Sequence, residues 1–124
     1  MRPLTRESIA ESLERLLATK GNEHYMPPSG PGGDCHYLHM TPDGFEPGCM
    51  WGQVLADHDF SYGTISRFEG NHIHGVLREV SKVDGDVRQA ADEAQWTQDQ
   101  GYPYYQAVMV YFGVLELGTR GEFE

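Results

Sequence analysis

The segment from Cys35 to Leu55 most restricts what this chain can fold into, because its prolines and glycines permit little except a chain reversal followed by a helix. Thr41-Pro-Asp-Gly44 is turn chemistry. Proline presets its own φ, aspartate suits the next position, and glycine closes the turn. Residues 35–40 alternate weakly and suit a short strand. Cys35, Tyr37 and His39 would face one way, and His36, Leu38 and Met40 the other. A return strand at 44–46 completes a small hairpin, too small to stand without helices packed on it. Pro47 is expected to start a helix, since its missing N–H is among the donors that find no intrahelical partner. Met50, Trp51, Val54 and Leu55 form that helix's inner stripe.

The rest of the chain reads mainly as helix. Ile9, Leu13, Leu16 and Leu17 make one apolar stripe over residues 5–19, with Thr5 as N-cap and Gly21 just past the end. Residues 21–34 read as a flexible loop, because prolines remove donors and glycines add entropy. The glycine cluster there lacks the Lys-Ser/Thr that a phosphate-cradling loop needs. Asp59 or Ser61 can cap a short helix carrying Ile65 and Phe68 and ending near Gly70. Ile73, Val76, Leu77 and Val80 are spaced as a helical stripe, with strand as the alternative for so β-branched a run. Val83-Asp-Gly-Asp86 turns the chain into a helix over 86–100 that buries Val87, Ala90, Ala91 and Ala94. On the helical wheel Trp96 falls opposite Val87 and points away from the core.

Gly101-Tyr-Pro-Tyr104 breaks that helix and starts the last one at Pro103. Residues 104–117 are apolar around nearly the whole wheel, so that helix is buried on several sides or against a partner. A strand at 107–115 is the alternative. The expectation is a single α+β domain, mainly helical, with a hairpin at about 35–46 packed on about five helices. Its compact core spans 35–117, between the N-terminal helix with its loop and a loose tail at 118–124.

Two motifs in this order resemble small proteins encoded by actinobacterial phages and prophages. The first is Tyr37-x-His39, then Asp43-Gly44, Pro47-Gly48-Cys49, Gly52 and Val54-Leu55. The second is Ala91, Ala94-Gln95, Gln98-Asp99, Gly101, Pro103 and Ala107. Tyr104-Tyr105 stand where relatives carry a Trp-Gly pair. The similarity covers residues 35–107. It implies a phage product working in the bacterial cytoplasm, and it carries over no catalytic residue.

The net charge of −10 has the wrong sign for a general phosphate-neutralising surface, so direct nucleic-acid binding is not expected. Acidity also admits mimicry of DNA. No apolar run is long enough to span a membrane, and no leader pattern opens the sequence. Two cysteines in such a chain suggest reduced cytoplasmic thiols.

Cys35, His36, His39 and Cys49, with His72 and His74, are the metal candidates, but His36 and His39 would face opposite sides of a strand. Cys49 at a helix start could be a nucleophile served by His58 or His39, with Asp43 or Asp57 orienting the base. The simpler reading of Cys49 is a small inert core residue. Asp84-x-Asp86 lacks the remainder of a calcium loop and fits a helix entry.

The leading expectation is therefore a non-enzymatic accessory protein needing no metal or cofactor. Its partner would be a host or phage protein, or a second copy in a homodimer. Trp96, Tyr104, Tyr105 and Phe112 are the expected contact residues, since exposed aromatics are enriched at the energetic centres of interfaces. The rival class is a thiol- or zinc-dependent enzyme using Cys49, Cys35 and the nearby histidines.

Overall fold

A computed structural model describes residues 2–26 and 36–119, with side chains through residue 116. Six helices and one hairpin follow each other: α1 (Arg6–Lys20), β1 (Leu38–Thr41), β2 (Gly44–Pro47), α2 (Met50–Asp57), α3 (Tyr62–Ser66), α4 (Ile73–Val80), α5 (Gly85–Asp99) and α6 (Tyr104–Thr119). This is a mainly helical α+β architecture. Both stretches for which strand was the alternative, 73–80 and 107–115, are helical.

Thr5 caps α1 in a reciprocal box: its hydroxyl accepts from Ser8 N at 3.0 Å, and Ser8 Oγ accepts from Thr5 N at 2.8 Å. Ile9, Leu13 and Leu16 are buried, whereas Leu17, expected in the same stripe, is exposed. The strands pair antiparallel with Leu38 opposite Pro47 and Thr41 opposite Gly44. Gly44 takes φ +121°, which a residue with a Cβ resists.

Pro47 therefore ends a strand and does not start a helix. The hairpin runs on because Gly48 N donates to Tyr37 O at 2.8 Å and Cys49 N to His36 O at 3.0 Å. Helix α2 begins only at Met50, with Cys49 as its N-cap. The close pairing needs small residues: a Cβ at Gly48 would overlap the His36 carbonyl, and one at Gly52 the Tyr37 carbonyl. Ser61 caps α3, while Asp59 takes φ +64° just beyond α2.

Helix α5 organises the interior. It packs on α6, α4 and α2 and buries Val87, Ala90, Ala91 and Ala94 as expected. It also buries Gln95 and Gln98. Neither Cys49 nor His72, the N-cap residues of α2 and α4, makes a side-chain capping bond. The glutamines serve instead: Gln98 Oε1 accepts from Met50 N at 2.7 Å, and Gln95 Oε1 from Ile73 N at 3.0 Å. Each thus satisfies a helix-terminal donor that would otherwise be buried alone.

One apolar cluster runs from Leu4 and Ile9 through Trp51 and Ile65 to Tyr111 and Leu115, so α1 shares the core of the rest. Residues 21–26, expected as part of a flexible loop, are tied to the core and to the start of α6. Tyr25 is buried, Tyr104 N donates to Glu23 O, and Tyr105 N donates to Gly21 O. The glycine-rich remainder of that loop, Cys35 and the end of the expected tail (120–124) lie outside the described residues.

Candidate interaction face

The thiol and metal candidates do not converge. Cys49 is fully buried and disulfide-bonded, and Cys35 is the chain's only other cysteine. Sequence spacing suggested reduced thiols because it does not show that the hairpin returns residue 49 to the backbone of residue 36, next to Cys35. A thiol held in a disulfide is no nucleophile or metal ligand until it is reduced.

The proposed bases are engaged elsewhere. His58 is fully buried, with Nδ1 2.8 Å from Val54 O and Nε2 2.8 Å from Ser8 Oγ. Nδ1 donates to the carbonyl, and the contact of Nε2 with the serine ties α1 to α2. Asp57 is paired with Arg15 and Arg2. Partial burial pushes its carboxyl up, but hydrogen bonds from Arg15 and Ser12 and the charges of Arg15 and Arg2 outweigh that. The net effect holds it below the usual carboxylate range.

His36 and His39 border one groove but hold different partners. His36 Nδ1 lies 3.1 Å from Glu69 Oε2, while Glu69 Oε1 accepts from Tyr37 N at 2.6 Å. His39 Nε2 lies 2.7 Å from the Tyr25 hydroxyl, which also accepts from His36 N at 2.8 Å. Burial pushes the Tyr25 hydroxyl up to about 12 although the hydrogen bond to the His36 backbone lowers it. His72 and His74 line a separate groove with Glu79 and Asp92. Among the described residues no three histidine, cysteine or carboxylate side chains are placed to hold a metal ion.

The four expected contact residues divide. Trp96 is 63% exposed, on the one stripe of α5 that the core does not cover: Gly85, Gln89, Glu93, Trp96 and Gln100. It lines an open groove of about 560 Å³ with Asp92, Glu93, Thr97 and Val110 of α6. Tyr105 is also exposed. Phe112 is half-buried, its ring edge-on to Tyr111 with centroids 5.2 Å apart.

Tyr104 is not on this face. At 4% exposure it belongs to the inner stripe of α6 with Ala107, Val108, Tyr111 and Leu115. Burial pushes its hydroxyl well above the ordinary tyrosine value. Adjacent helical residues point about 100° apart, so Tyr104 and Tyr105 cannot share one face.

Sequence reasoning missed Met109, which at 65% is as exposed as Trp96. With α6 apolar all round, only the helix that packs on it reveals which side is left bare. It also missed a second apolar spot, the cross-strand pair Met40 and Phe45, which lines a groove with His36, His39 and Glu69. The strand alternation, with Met40 facing away from Tyr37, held that signal.

No protein-family model, curated protein or solved structure matches this chain. Among the described residues no helix is long and apolar enough to cross a membrane.

Proposed function

We propose that this is a small phage accessory protein that binds another protein through the outer face of α5 and α6. The supporting observation is Trp96 together with Met109: two large apolar side chains more than 60% exposed on neighbouring helices that are otherwise well packed. Ordering a tryptophan on a surface stripe of a buried helix gains the fold little, whereas at an interface tryptophan is among the most energetic residues. Tyr105 extends the face, and Tyr104 supports it from the core.

The resemblance on residues 35–107 supports a phage origin and a setting in the host cytoplasm. A disulfide at Cys49 would favour a more oxidising compartment, and the thiol measurement described below separates the two settings. The enzymatic alternative would need Cys49 reduced and either His58 released from the core or His39 released from Tyr25. Mimicry of DNA keeps the net charge of −10 as its support, and competition with DNA for a DNA-binding enzyme would reveal it.

The deciding experiment captures partners on immobilised wild-type protein and on Trp96→Ala/Met109→Ala, with sedimentation of each protein alone. A partner, or a dimer, that the wild type forms and the double variant loses is the expected result. Identical capture and identical size for both proteins would remove the reading.

A further inference from the structure

We propose that the α5–α6 face accepts a basic amphipathic helix of its partner, with aliphatic side chains against Trp96 and Val110 and lysine or arginine against Asp92 and Glu93. This rests on the protein-binding reading above and deepens it by naming the partner's chemistry.

The shape comes first. Helices α5 and α6 are joined by a short turn and pack side by side over their length. Their outer sides form a groove with Trp96 on one helix and Val110 on the other. Gly113 lies one turn beyond Met109, is exposed, and has open space where a Cβ would stand, so the α6 side is low there. A trough between two helices with bulky apolar borders suits a third helix laid into it through residues spaced i, i+3, i+4 and i+7.

Charge then selects the occupant. The sixteen residues of α6 include no lysine or arginine, and the only cation of α5, Arg88, turns to its own chain, with Nη1 2.8 Å from Val83 O. Two carboxylates, Asp92 and Glu93, border the groove at Trp96. Glu93 Oε1 accepts only a side-chain amide, from Gln89 at 3.2 Å. Asp92 Oδ1 is shielded from solvent yet accepts no hydrogen bond from the described residues. A lysine or arginine of a partner lying in the groove would pair with these carboxylates at its rim. A second copy of this chain is the poorer occupant, because a twofold contact centred on Trp96 would set Asp92 and Glu93 against their equivalents between molecules of −10 each.

The test uses a dye-labelled peptide with leucines at helical spacing and lysines elsewhere, beside the same peptide with glutamates for lysines. Binding is read by anisotropy against the intact protein. The expected result is that the lysine peptide binds the wild type at least about tenfold more tightly than it binds Trp96→Ala, the loss typical of an interface anchor. The glutamate peptide is expected not to bind. Asp92→Asn/Glu93→Gln should weaken the lysine peptide and reduce its salt dependence.

Lysine-peptide binding that Trp96→Ala leaves unchanged would be general attraction to an acidic protein and would overturn the proposal. Tryptophan-dependent binding of the glutamate peptide, or a tryptophan-dependent dimer, would overturn the basic helix while sustaining the binding face. Circular dichroism melts confirm that the variants, all changed at solvent-facing or groove-lining side chains, remain folded.

Discussion

Asp57 shows how one side chain can be read wrongly from its neighbours in sequence. Beside His58 it suggested a carboxylate orienting a catalytic base; in the structure it gathers Arg2 and Arg15 and fastens the N-terminal segment to the end of α2. Its folded-state carboxyl takes up a proton at lower pH than in the unfolded chain. Its contribution is therefore complete above the ordinary value of 3.8 and is lost as pH falls through the lower folded-state value. The side chains are more than a third exposed, so screening limits the contribution to about 0.5–1 kcal/mol. Asp57→Asn should lose that amount near neutral pH and show a flatter fall in stability on acidification, measured by urea titration at several pH values. Cys49 is the other residue whose environment decides its chemistry. Unfolded, unreduced protein should take up no thiol label, and reductant should release two labelled cysteines and cost about 3 kcal/mol for a loop of some fifteen residues. Labelling without reductant would return Cys49 to the thiols.

At the scale of elements, what the sequence makes legible and what it hides have different physical origins. Helical stripes and turn signals depend on residues close in the chain, so α1, α4, α5 and the hairpin turn are readable from spacing alone. The end of the hairpin is not, because Pro47 fits a strand end as well as a helix start. The choice lies in bonds from Gly48 and Cys49 back to Tyr37 and His36. The capping of α2 and α4 is likewise invisible locally, since the acceptors come from a different helix. It also gives physical meaning to residues of the two sequence motifs: Gly52 lets α2 lie on Tyr37, and Gln95 and Gln98 close two helix ends. Those positions are architecture, which is why they point to no catalytic group. Gln98→Leu should cost about 1–3 kcal/mol by stranding the Met50 N–H, with chemical denaturation as the measure. Gln98→Glu should recover part of that, since a carboxylate oxygen can still accept from a helix N-terminus. On the candidate face, Trp96 was readable because α5 has a clear buried side. Met109 was hidden and Tyr104 misplaced because α6 offers no polar side to orient it.

At the scale of the whole molecule, the core is one cluster into which both early and late parts of the chain enter. The segment after α1 is bound to the start of α6 through Glu23 and Gly21, and His24 Nδ1 lies 2.7 Å from Gly101 O. The proposed binding face of α5 and α6 therefore stands on a frame tied between the segment after α1 and the start of α6, so a partner is expected to meet it without refolding it. The Tyr25 hydroxyl has one more consequence. By accepting from His36 N at 2.8 Å and donating to His36 O at 3.3 Å, it joins residue 25 to residue 36. Loop-closure entropy rises slowly with length, so the length of the tether 27–35 can be varied as a test of that bond. A Gly-Ser insertion that doubles the tether should lower stability by only about 0.6 kcal/mol, whereas Tyr25→Phe, which unties the knot, should make the same insertion costlier. Comparing thermal melts of the four combinations would show whether the knot or the tether sets the join. If the knot does, a fluorophore or a fused domain can be inserted between residues 26 and 36 at little cost in stability.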